Sequence, residues 1–226
     1  AALAPEVREI LTVLRTVPGH EEWADWLEQR LDEIEGAAQA TQPAAPPRAP
    51  VTPPRPGTPR PPVRVEPVPH YALWLLRVRG RAAPERASVL MPKLRQAFVA
   101  EGVPPELAWL AEAESSFNPA ARSPAGAKGL FQFMPDTAKA MGLSTLLPDE
   151  RTDPVKSARA AARYLRNLHG RFGNWALALA AYNAGEGRVS RTLTTRRATT
   201  FTEIASALPA ETRMYVPKAV SYTHLT

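Results

Sequence analysis

Apolar residues recur along most of this chain at helical spacing. Val7, Ile10, Leu11 and Leu14 lie three or four positions apart, which puts them on one face of a helix. Pro18 and Gly19 break that run, and Trp23, Trp26, Leu27 and Ile34 resume a similar stripe. One or two short helices are therefore predicted over residues 5–35. A hairpin this small buries little apolar surface by itself. It is expected to dock on something or to pair with another chain.

Residues 37–69 lose the helical pattern. Prolines occupy positions 43, 46, 47, 50, 53, 54, 56, 59, 61, 62, 67 and 69. That density removes amide donors and fixes an extended backbone, so no packed core is expected. The segment reads as a semi-rigid linker carrying Arg48, Arg55, Arg60 and Arg64. A proline-rich ligand for a recognition domain is the alternative reading.

Helical periodicity returns from residue 71. Leu90, Leu94 and Phe98 lie at i, i+4 and i+8, with Gly102 as a stop. Val103-Pro104-Pro105-Glu106 opens a further helix. Asp153-Pro154 is an N-cap followed by a first-turn proline, and that helix is expected to reach about His169-Gly170. Asn174 caps the next one, which should end at Gly185, and Pro209 opens a last helix through Tyr215. Strand alternation is not sustained, although an extended conformation is open to Leu130–Met134. The predicted fold class is all-α. The predicted organisation is an acidic helical segment over 1–36, a Pro-rich disordered linker over 37–70 and a helical domain over 71–226.

Composition removes whole classes of function. The 226 residues include no cysteine, which excludes disulfides, thiolate zinc sites, iron–sulfur clusters and a cysteine nucleophile. The compartment stays open. No apolar run approaches the roughly 20 residues of a membrane span. No signal peptide is visible, and the chain starts without Met. His20, His70, His169 and His224 lack metal-ligand spacing, so no metal or other cofactor is expected. The absence of Gly-x-Ser-x-Gly argues against a serine hydrolase. The net charge of +6 divides unevenly, as −6 on residues 1–36 and +12 on the remainder. A basic body suits an anionic partner such as nucleic acid, an acidic membrane face or an acidic wall polymer. Neither zinc-finger spacing nor a basic–aromatic sheet motif supports nucleic acid.

Candidate chemistry starts with a carboxylate on a helix. Leu107, Leu110, Ala111 and Glu114 lie at i, i+3, i+4 and i+7 and share a face. Glu112 points elsewhere and reads as solvated, so the two acids do not form a paired-carboxylate site. Periodicity leaves two placements open for Glu114. Past the helix end it is solvated. At the end of the apolar stripe, desolvation raises its pKa and suits it to general-acid work.

Four blocks follow in order. They are Glu114-Ser115-Ser116-Phe117-Asn118-Pro119; Ser123 to Pro135, with Gly126, Gly129 and the run Leu130-Phe131-Gln132-Phe133-Met134; Ala181-Tyr182-Asn183-Ala184-Gly185; and Leu208-Pro209-Ala210-Glu211-Thr212-Arg213-Met214-Tyr215-Val216-Pro217-Lys218. Their order and spacing over roughly residues 84–219 resemble lytic transglycosylases with a soluble-lytic-transglycosylase domain. The last block is most similar to the membrane-bound murein transglycosylase D group.

The resemblance implies a goose-lysozyme-like helical fold that cleaves peptidoglycan between N-acetylmuramic acid and N-acetylglucosamine. It makes Glu114 the catalytic acid and then base. The muramoyl C6 hydroxyl attacks C1 and leaves a 1,6-anhydromuramoyl end. Most glycosidases need two carboxylates; here the substrate supplies the nucleophile. The resemblance puts Ser123 near the muramoyl site, Gln132 and Met134 against the glycan, and the Tyr182 hydroxyl on Glu114. Asn183 supports a helix end or the groove. Glu211 lines the cleft, as a substrate contact or as half of an ion pair. Tyr215 reads as core, and ordinary packing remains open for Met134.

Two other readings stay open: a hydrolytic muramidase of the same fold, and a non-catalytic peptidoglycan-binding envelope protein. Glu114 argues against the last. The expected partner is the peptidoglycan glycan strand. The expected setting is the bacterial envelope, periplasmic or membrane-anchored, with a monomer tethered through the N-terminal arm. Residues 1–70 are expected to be dispensable for turnover. The end of the chain, from Val220 to Thr226, resembles translated sequencing adapter and is expected to be non-native in its last residues.

Overall fold

The computed structural model describes residues 3–40, 68–81 and 83–223. The Pro-rich stretch 41–67 lies outside them. Two helices precede it, α1 (Leu3–Thr16) and α2 (Glu21–Ala40), divided at Pro18-Gly19. The second runs four residues past the expected boundary at 36. The rest is α3 (Tyr71–Arg79), α4 (Glu85–Ala100), α5 (Leu110–Ser115), α6 (Pro135–Ala140), α7 (Pro154–Phe172), α8 (Trp175–Ala184), α9 (Glu186–Arg196), α10 (Phe201–Ile204) and α11 (Ala210–Tyr222). Among the described residues this is an all-α fold with two isolated β-bridges.

The core is built around α8. Ala176, Leu177, Ala178, Leu179, Ala180 and Ala181 are all buried, so this helix is apolar on every side and belongs in the interior. Its alanines let α7 and α11 approach closely from opposite sides. Asn174 Oδ1 accepts from the Ala176 and Leu177 amides at 2.8 and 3.2 Å, and Asp153 Oδ1 accepts from Val155 and Lys156 at 2.9 and 2.8 Å. Both predicted N-caps thus satisfy amides that a helix start leaves free. The α7 helix continues to Phe172, where Gly173 takes the left-handed conformation at φ 67°, three residues beyond the expected end. The last helix also outruns its expected end at Tyr215. Burial of Val216 and Ala219 outweighs the donor lost at Pro217.

The segment before Glu114 is not one α-helix. Pro104 and Pro105 remove donors, and Pro105–Trp109 winds as a 3-10 turn before α5 takes over. Leu107, Leu110 and Ala111 are still buried along one face. Ser116 and Phe117 then turn left-handed, at φ 46° and 56°. Their amides donate back to Glu112 and Ala111 at 3.1 and 3.2 Å, closing α5.

Residues 130–134 form a turn, not an extended run, because Gln132 sits at φ 48°. The alternation survives all the same. Leu130, Phe131 and Phe133 are buried, while Gln132 and Met134 face outward. The loop 121–133 is hung on one arginine. Arg151 donates to the carbonyls of Gly126 and Phe133 at 2.9 and 3.0 Å, and Asp149 holds its guanidinium from the other side at 2.8 and 2.9 Å. Gly129 touches the same anchor: a Cβ there would lie 1.8 Å from the Arg151 carbonyl oxygen, and its φ is 81°.

The arm docks on its own chain. Along α2 it meets α11, α5 and α3. Ala24 is fully buried, and a Cβ on Gly36 would lie 2.6 Å from the buried Trp74 ring. Around these two small residues the contact is ionic. Asp32 pairs with Arg81 and, at 3.4 Å, with Arg77; Glu35 meets Arg77 at 3.1 Å, and Glu33 meets Lys218 at 3.7 Å.

Gly129→Ala should destabilise the protein by about 3 kcal/mol or more, because it combines a backbone clash with a disfavoured φ. Thermal or urea unfolding checks this. A melting temperature within a degree or two of the parent would mean that the loop is not anchored on Arg151.

Candidate active site

Glu114 stands in the last turn of α5 and opens onto a cavity of about 450 Å³. Ser123, Gln132, Met134, Tyr182, Asn183 and Glu211 line the same cavity. The fold thus brings all seven residues singled out from the sequence to one place. They arrive from α5, the loop 121–133, the start of α6, the end of α8 and the start of α11.

The carboxyl of Glu114 accepts a 2.5 Å hydrogen bond from the Tyr215 hydroxyl. Burial pushes its pKa up from 4.5 to about 7; that hydrogen bond and the charges of Arg30 and Lys218 oppose the rise, and Glu33 adds to it. The solvated placement left open by periodicity is therefore not the one adopted.

The hydroxyl on Glu114 belongs to Tyr215, not to Tyr182 as the resemblance implied. Tyr182 donates instead to the Phe131 carbonyl at 2.8 Å, and its ring packs against Tyr164 and Phe133. Tyr182 thus supports the loop from below, and Tyr215, read as core from the sequence, reaches the acid. The spacing aligns Glu211, Tyr215 and Lys218 at i, i+4 and i+7 on one face of α11, but it does not name Glu114 as the partner of Tyr215.

Glu112 also departs from its reading as solvated. It is 6 % exposed, its Oε2 has no hydrogen-bond partner among the described residues, and burial raises its pKa. It faces a second cavity of about 620 Å³ on the other side of the α5 terminus. The two acids remain unpaired, as their spacing predicted.

The remaining candidates are tied into their surroundings. Ser123 Oγ accepts from the Ala127 amide at 3.1 Å, and the Gln132 side-chain amide donates to the Gly129 carbonyl at 2.9 Å. Both side chains hold the loop in shape while facing the cavity. Met134 is 44 % exposed at the start of α6, so it is not ordinary core packing. Asn183 donates to Glu211 at 3.1 Å and accepts from the Thr212 hydroxyl at 2.8 Å. Ser115 Oγ, behind Glu114, donates to the Leu130 carbonyl at 2.9 Å and ties α5 to the loop.

Two groups of residues carry no role in the sequence reading. Lys128, Asp149 and Arg151 form the loop anchor, with Lys128 Nζ 2.9 Å from Asp149. Arg151 holds the Asp149 carboxyl well below the usual carboxylate range. A single sequence carries no signal for that long-range cluster. Trp26, Arg30 and Glu33 of α2 line the Glu114 cavity, and Arg30 reaches Glu211 at 2.7 Å. Their i, i+4, i+7 spacing does point to one face. Part of the arm, α2, thus forms one wall of the cavity.

Residues 95–205 match the family model of the transglycosylase SLT domain. The chain carries an SLT domain. Membrane-bound lytic murein transglycosylase D of Escherichia coli K12 is similar at 40 % identity over 129 residues, which is 54 % of this chain and 28 % of that protein. Membrane-bound lytic murein transglycosylase F of Alcanivorax borkumensis is 45 % identical over 101 residues, 40 % of this chain and 20 % of the relative. Among solved structures, an inactive glutamate-to-glutamine mutant of the lytic transglycosylase Slt from Pseudomonas aeruginosa superposes with a TM-score of 0.51. It is 33 % identical and covers 58 % of this chain and 23 % of that one. This chain therefore spans less than a third of the length of these relatives. The SLT match contains Glu114, the loop and the α8 residues. It ends before α11, which adds Glu211 and Tyr215, and it does not include α2.

Raising the carboxyl of Glu114 in the SLT domain has a cost in stability. The folded protein holds that proton up to about pH 7, the unfolded chain only to about 4.5. Stability is therefore lost as pH rises from about 4.5 through 7. Glu114→Gln should raise the melting temperature by about 2–6 °C at pH 8 and by much less at pH 4.5. Circular-dichroism melts at both pH values check this, and a pH-independent difference would contradict it.

Proposed function

We propose that this chain is the catalytic part of a peptidoglycan lytic transglycosylase. It cleaves the β-1,4 link from N-acetylmuramic acid to N-acetylglucosamine without water. The observation that carries the reading is the contrast among the carboxylates of one cavity. Glu33 and Glu211 are both ion-paired, through Arg30 and Lys218. Glu114 has a neutral hydroxyl for its direct partner and a pKa of about 7. It alone is free to give up a proton near neutral pH and take one back.

The reaction needs only that group. Protonated Glu114 donates to the glycosidic oxygen as the bond from the muramoyl C1 breaks. Its carboxylate then accepts the proton of the muramoyl C6 hydroxyl as that oxygen bonds to C1. The enzyme returns to its starting state, and the product carries a 1,6-anhydro ring. The Tyr215 hydroxyl stabilises the carboxylate between the two transfers. Ser123, Gln132 and Met134 form the wall against which the sugars lie, and Asn183 and Glu211 form the opposite one. The names of the relatives, membrane-bound or soluble murein transglycosylases, support a place at the cell envelope, where the chain acts as a monomer. No helix among the described residues is long and apolar enough to cross a membrane.

Mass spectrometry of products from purified peptidoglycan tests this reading. Anhydromuramoyl ends are expected from the parent, and a loss of at least about 10³-fold from a folded Glu114→Gln variant. Reducing muramoyl ends would make the chain a muramidase, and undiminished cleavage by Glu114→Gln would remove Glu114 from the chemistry.

Activity should fall as pH rises through about 7, because Glu114 must start protonated. Tyr215→Phe removes a hydrogen bond that favours the carboxylate, so the falling limb should move to higher pH by about half a unit or more. A limb that stays in place would separate Tyr215 from the titrating acid.

A further inference from the structure

We propose that α2 is a cover for the glycan cleft, which blocks the path of a polymer strand past Glu114 and must leave for that strand to enter. The inference rests on the transglycosylase reading and extends it to control of the site.

Position is the first argument. Trp26, Arg30 and Glu33 wall the Glu114 cavity, while Asp25, Leu31 and Asp32 wall the second cavity beyond α5. Trp26 and Gln132 belong to both. One helix thus walls two adjoining cavities, and Trp26 stands with Gln132 where they meet. A cavity of about 450 Å³ suits a compact ligand of drug-like size. A strand that continues on either side of the cut bond needs the groove open along its length.

The hold on α2 is the second argument. Gly36 seats against the buried Trp74 ring, and ion pairs that reach the site itself accompany that contact. Arg30 ties down Glu211, and Glu33 meets Lys218, which is 2 % exposed. Asp32 and Glu35 engage Arg77 and Arg81. The Arg30–Glu211 and Arg81–Asp32 pairs are partly exposed, so they are individually weak and are screened by salt, whereas Glu33–Lys218 is buried and is screened much less. They set an acidic arm of −6 against a basic remainder of +12. An anionic wall polymer competes for the same cations. Twenty-seven residues separate Ala40 from Val68, enough chain for α2 to move aside without detaching.

The absence of native cysteine makes the test direct. In the full chain, Asp32→Cys with Arg81→Cys would be joined by a bismaleimide whose spacer contains a cleavable disulfide. Two readouts are taken: release of soluble fragments from peptidoglycan, and carbodiimide-driven amine coupling to Glu114, located by peptide mass mapping. Both should fall at least tenfold in the locked protein and recover when the spacer is reduced, which controls for misfolding. A second variant, Gly36→Leu, keeps α2 helical but cannot seat against Trp74. Both readouts should rise at least threefold in it at low salt. Added salt should stimulate the parent more than this variant.

Locked protein that releases fragments and couples amine at the unlocked rate overturns the cover. So does a folded Gly36→Leu variant slower than the parent, which would make α2 a required wall of the cleft. If coupling follows the lock but no form releases fragments, the transglycosylase reading fails while the cover stands.

Discussion

A carboxyl group held out of water without a cation bonded to it is the feature on which this site depends. Ionising Glu114 is unfavourable because the group is buried away from solvent. A direct salt bridge would relieve that penalty and would also fix the group as a permanent anion. The nearby cations are instead committed elsewhere, Arg30 to Glu33 and Glu211, and Lys218 to Glu33. Among the described residues, the hydrogen-bond partner of the Glu114 carboxyl is the Tyr215 hydroxyl. That arrangement leaves proton donation and proton acceptance within reach of one side chain at the same pH.

Holding such a group requires a stiff frame, and the frame is covalently local on one side only. Ser115 fastens the end of α5 to Leu130, and the Asp149–Arg151 pair hangs the same loop on the segment before α7. From the other direction α8 supplies a wholly buried rod of alanine and leucine, and α11 lies against it to deliver Tyr215. Displacing α11 by an ångström would change both the hydrogen bond to Glu114 and the depth at which Glu114 is buried. The chemistry therefore depends on packing between helices nearly 100 residues apart in sequence.

Much of this arrangement is legible in the order of the residues alone. The helical stripes, the N-caps at Asp153 and Asn174 and the break at Pro18-Gly19 are local, and local signals suffice for them. The motif blocks name all seven candidate site residues, and all seven reach one cavity. What the sequence hides is non-local. Whether Tyr182 or Tyr215 touches Glu114 depends on how deeply α8 and α11 sit, which no single stripe reveals. Glu112 reads as solvated because its neighbours in sequence do not cover it; α2 and Lys218 do. The turn at Gln132 is hidden because a positive φ is rarely signalled by a glutamine. Its outward placement still follows from the pattern, since alternation of buried and exposed positions does not require a strand.

The arm changes the meaning of the charge asymmetry. Taken as composition, −6 followed by +12 suggests only that the basic part seeks an acidic polymer. Folded, the acidic part already occupies the ground such a polymer would take. Asp32, Glu33 and Glu35 meet Arg81, Lys218 and Arg77 along the edge of the cleft. The missing side chain at Gly36 lets that face close on the Trp74 ring, where the ions pair. Part of that contact is ionic and partly exposed, at Arg30 and Arg81, and a polyanion offers those cations an equivalent set of partners. The acidic helix and the wall polymer are then alternative occupants of one basic groove, and occupancy by the first is the natural resting state of a chain whose own cleft is complementary to both.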